Sequence, residues 1–142
     1  MLTAIVIPAD EQQPLRLEKF DTDNLDARQR LVGGTYEILR LERPGATLYV
    51  NEDGKLLGLP GNKRATLLLW MHNRAFHEWD VIVGDAFILG DPDEEGAATT
   101  APQQLIDLLL HTSRYRVLAQ NQGEDVFYGT LRGVFPLFWT PD

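Results

Sequence analysis

Residues 51–66 read NEDGKLLGLPGNKRAT, and this stretch decides the fold class. Turn-forming Asn51, Asp53, Gly54, Pro60, Gly61 and Asn62 bracket a short apolar piece, Lys55 to Leu59. Asn62 then stands where a helix cap would stand, ahead of Lys63, Arg64 and the run Leu67, Leu68, Leu69, Trp70, Met71. That run is apolar nearly all round, which predicts a buried helix rather than one with a single apolar stripe. A turn, an extended run and a helix start come one after another, so strands and helices are mixed within one short span.

Working outward towards the N-terminus, Thr47 to Val50 (TLYV) reads as a strand, and Asn51 to Gly54 supplies a turn into Lys55 to Leu59. The expectation is a hairpin between those two runs. Thr35 to Leu41 alternates sides and stops before Pro44-Gly45. Before it, Asp23 or Asn24 can cap a helix through Leu25, Arg28 and Leu31, closed by Gly33-Gly34 because glycine accepts the left-handed conformation of a helix end. Leu2 to Ile7 is a β-branched buried strand stopped by Pro8, and Leu15 to Phe20 is a weaker, half-buried one.

Towards the C-terminus, Val81 to Gly90 reads as a core strand that bends or turns at Gly84-Asp85. An acidic loop, Asp91 to Thr100, leads to a helix opened by Pro102 and carried through Leu105, Ile106, Leu108, Leu109 and Leu110. Tyr115 to Ala119 and Asp125 to Leu131 predict a further hairpin, succeeded by an aromatic end. The fold class is therefore α+β, a single domain with a mostly antiparallel sheet and two or three helices. Residues 1–112 form its core, and residues 113–142 a C-terminal hairpin and aromatic tail packed on that core or at an interface.

The 142 residues are 44% hydrophobic and 24% charged, which suits one globular core. A formal charge of −8 disfavours a direct grip on nucleic acid, whose affinity comes from Lys and Arg displacing counterions. The chain has no cysteine, hence no disulfide, thiolate metal site or cysteine nucleophile, as suits a reducing cytoplasm. Its apolar runs are all shorter than the roughly 20 residues of a membrane span. A soluble, cytoplasmic protein without a membrane partner is expected.

Three blocks, LVGGTYEILRL (31–41), VNEDGKLLGLPGNKRAT (50–66) and DVIVGDAFILGDPDEEG (80–96), together resemble the family known as domain of unknown function 3846. The resemblance covers roughly residues 2–110 and places family positions on Asn51, Gly54, Leu59, Pro60, Asn62, Arg64 and Asp80 to Gly90. That family is known chiefly from bacteria, actinobacteria above all, and from their phages and mobile elements. It implies a small accessory protein in such a setting, and it brings no activity or cofactor. Leu67 to Glu78 is longer and more aromatic than the usual connection, and the tail from Ser113 has no family counterpart.

Familiar catalytic patterns break down on inspection. Gly58 to Thr66 lacks the Gly-Lys-Ser/Thr end of a phosphate loop, since Lys63 is preceded by Asn62 and succeeded by Arg64. His77-Glu78 begins HExxH, but Val81 occupies the second histidine position. His72, His77 and His111 do not converge as a zinc set, and Asp91, Asp93, Glu95, Gly96 lead to Pro102 where a calcium loop closes with Glu. Ser113 is the sole serine and has no glycine neighbours to build a nucleophile elbow. No catalytic residue, metal ligand or cofactor is assigned.

The remaining expectation is a non-enzymatic module binding a protein partner or a small anionic ligand. Asn62, Lys63 and Arg64 carry it: cations in the first turn oppose the helix dipole, so they are expected to face something outside the helix. Phe135, Phe138 and Trp139 are the second candidate, either as a partner or homodimer surface or as completion of the core. Two alternatives stand beside it. One is a small enzyme on a nucleotide or anionic metabolite with Asp80 or Asp85 as general base, and the other an acidic mimic of DNA.

Overall fold

β1 (Leu2–Ile7) lies inside the sheet because both of its sides are apolar: Leu2, Ala4 and Val6 enter one buried cluster, Ile5 and Ile7 the other. The structure, a computed structural model, describes residues 1–42, 45–72 and 81–110 and the strand backbones 116–121 and 124–130. β1 pairs antiparallel with β2 (Arg16–Phe20), Ile5 facing Leu17, and on its other side with β5 (Ala86–Gly90), Ile5 facing Ile88. β5 pairs in turn with β4 (Gly45–Asn51), and β4 with β3 (Tyr36–Glu42). The result is a five-stranded antiparallel sheet in the order β2-β1-β5-β4-β3.

Helices cover both faces. α1 (Leu25–Val32) starts on Asn24, whose side chain accepts the Ala27 N–H, and ends at Gly33 in the left-handed conformation, φ 79°. Its Ala27 and Val32 pack with Phe20, Tyr49, Phe87 and Leu89 on one face. Phe87 stacks on Tyr49 at 4.5 Å and meets Phe20 edge-on at 6.2 Å, while Tyr36 closes edge-on against Tyr49 at 5.2 Å. α2 (Lys63–His72) and α3 (Gln103–Leu110) cover the opposite face through Ala65, Leu68, Leu69, Leu105, Ile106 and Leu109. The protein is thus an α+β domain as its pattern predicts.

One expected hairpin is not formed. Both sides of β4 are taken by β3 and β5, so Lys55 to Leu59 has no strand to join. The Asn51 side chain accepts the Asp53 N–H at 2.8 Å and bends the chain, and local bonds from Leu57 N to Asp53 O and from Leu59 N to Gly54 O coil the segment after the bend. Leu56 and Leu57 are left 88% and 62% exposed. The break inside Val81 to Gly90 is real: Gly84 has φ 79°, an isolated bridge joins Val83 to Gly61, and the strand proper begins at Ala86. Beyond α3, β6 (Arg116–Asn121) and β7 (Glu124–Thr130) form the hairpin expected there, with an irregular register at Val117/Leu118.

Candidate functional site

The turn before α2 gathers two distant pieces of chain around Asn62, which is 1% exposed. Its Oδ1 accepts the Ala65 N–H at 3.0 Å and so caps the helix. Its Nδ2 donates to Ile7 O at 2.8 Å and to Gly84 O at 2.9 Å, joining the end of β1 to the kink before β5. Thr66 Oγ1 donates to Asn62 O at 2.7 Å and accepts the Ile82 N–H at 2.9 Å, and Gly84 N donates to Pro60 O at 2.7 Å. Buried backbone groups released by the turn thereby find partners, which is the condition for burying them at all.

Arg64 is drawn into the same knot. Its side chain is 0% exposed, and Nη2 donates to Pro8 O at 2.6 Å and Asp10 O at 3.0 Å, tying down the loop after β1. Burial pulls the guanidinium below its ordinary range, and Glu11, Asp10 and Asp85 oppose that pull. Asp85 Oδ1 is itself engaged, accepting the Ala9 N–H at 2.8 Å. The two cations of the first turn are therefore placed differently, Arg64 buried and Lys63 exposed. Successive helix positions differ by about 100°, so Arg64 turns inward while Lys63 projects outward. The Lys63 side chain is 74% exposed, with Nζ at 3.8 Å from Glu11 Oε1.

Beside Lys63 the structure opens a cleft of about 280 Å³, lined by Asn62, Lys63, Thr66, Leu67, Trp70 and Val81. Among the described residues its wall is apolar apart from the cation at the rim. The helix predicted as apolar all round explains it: Ala65, Leu68 and Leu69 are buried in the core, Leu67 and Trp70 are half-buried against its margin, and Met71 is exposed. Sequence reasoning did not single out this margin.

Other sequence candidates are placed apart. Asn51 donates from Nδ2 to Val32 O at 3.0 Å and so closes the end of α1. Asp93 Oδ1 accepts the Glu95 and Ala97 N–H groups at 2.9 Å each, folding the acidic loop on itself. His72 Nδ1 sits 2.9 Å from Leu68 O. Phe135, Phe138 and Trp139, with Asp80, His77, His111 and Ser113, lie outside the described residues. Among the described residues no group of three His, Cys, Asp or Glu is placed to hold a metal ion, and no helix is long and apolar enough to cross a membrane.

No curated protein and no solved structure matches the chain. A family model does, over residues 2–115, taking in the whole five-stranded sheet, the three helices and the Asn62 knot. By that match the chain belongs to the family described as Domain of unknown function (DUF3846).

Proposed function

We propose that the protein is a non-enzymatic accessory module that captures a protein partner in the cleft along α2, in the bacterial, phage or mobile-element cytoplasm that the family resemblance implies. The observation that carries this reading is the pairing, among the described residues, of an apolar wall, Leu67, Trp70 and Val81, with a rim cation, Lys63. Such a surface suits a polypeptide segment that places an aliphatic or aromatic side chain in the cleft and a carboxylate beside Lys63. A small anion held by Asn62, Lys63 and Arg64 together has less support, because Asn62 and Arg64 spend their side chains on backbone carbonyls. A general base at Asp85 is likewise less supported, since that carboxylate holds the Ala9 N–H.

The test is to pan a displayed library of random dodecapeptides against the intact protein and titrate the selected peptides by Trp fluorescence and calorimetry. Enriched peptides are expected to carry an apolar residue next to Asp or Glu. Their affinity is expected to fall at least tenfold with Leu67→Glu and several-fold with Lys63→Glu. Peptides that bind both variants as tightly as the parent, or a selection that enriches nothing, would overturn the assignment.

A further inference from the structure

We draw no further inference here: the strongest candidate, the outer edge of β3 at one end of the five-stranded sheet with Ile38 59% exposed at its middle, carries nothing because nothing in the structure shows what covers it.

Discussion

The Nη2 nitrogen of Arg64 lies 2.6 Å from the carbonyl oxygen of Pro8, in a place closed to water. A charge in that position is tolerable because backbone oxygens receive its N–H groups, those of Pro8 and of Asp10, the second of which also accepts the Gln13 N–H at 3.0 Å. Replacing Arg64 with Met leaves the Pro8 and Asp10 carbonyls without this donor. The expected loss is about 3 kcal/mol of unfolding free energy, read from urea denaturation. Arg64→Lys should fall between the two, since an ammonium lacks the planar reach of the fork. An unchanged urea midpoint for the Met variant would show that the loop after β1 is held by other means.

Asn62 presents an acceptor to the helix and a donor to the sheet, so two replacements separate the roles. Asn62→Ala loses both and should cost about 2–4 kcal/mol. Asn62→Asp keeps the cap for Ala65 but turns an oxygen towards the Ile7 and Gly84 carbonyls. Near neutral pH it should be less stable than the alanine variant. Those carbonyls favour the protonated acid and raise its folded pKa above the unfolded value of about 3.9. The penalty is therefore full above the folded pKa and fades as pH falls through it. Chemical denaturation of both variants at a series of pH values checks the crossover.

Two glycines of the same knot should respond unequally. A Cβ at Gly84 would meet Leu59 Cδ1 at 2.8 Å, and its φ of +79° is strained for any L side chain. Gly84→Ala should therefore cost about 1–3 kcal/mol. At Gly61 an added Cβ meets nothing within 4 Å. Gly61→Ala should stay within about 1 kcal/mol of the parent, a contrast that paired thermal melts resolve.

Alkaline pH should find Tyr49. Burial holds its phenol above the ordinary value of 10.0, against the opposing pull of Arg28. On raising the pH, the unfolded chain ionises this group first. Stability from it is intact below about 10 and is lost as pH climbs through the folded pKa. Tyr49→Phe keeps the ring stacked on Phe87 and should lose less stability than the parent in the interval above about pH 10. Parallel slopes for the two proteins in that interval would count against a buried phenol.

Lys63→Glu should leave the fold within about 0.5 kcal/mol of the parent. The acid favours the helix start but faces Glu11, and the site is open to solvent. Circular dichroism melts of this variant are the control that lets its loss of peptide binding be read as loss of a contact.

Much of the framework was legible from local chemistry. Asn24 and Gly33 announce α1, Asn62 announces α2, and Gly84 announces the kink before β5, because each acts through its own neighbouring backbone. What stayed hidden depends on distant partners. That Arg64 faces inward is decided by Pro8 and Asp10, far off in the chain, and no spacing in residues 62–66 records it. The misplaced hairpin has the same origin: Lys55 to Leu59 has the texture of a strand, but β3 and β5 already occupy both sides of β4. The cleft was hidden for a different reason, since Leu67 and Trp70 pack against the core and line the cleft at once, and a sequence does not divide one side chain between the two.

The central seam of the sheet, where Ile5 meets Ile88, also sets an order of events during synthesis. An emerging polypeptide at about 5–20 residues per second must carry its first strand for several seconds before the fifth leaves the ribosome. Until then β1 is paired along one edge only, with β2, and the sheet that α1 and α2 cover lacks its middle strand, so no half of the domain can mature ahead of the other. Nascent products stopped before Gly90 should accordingly be sticky, chaperone-dependent and quickly degraded.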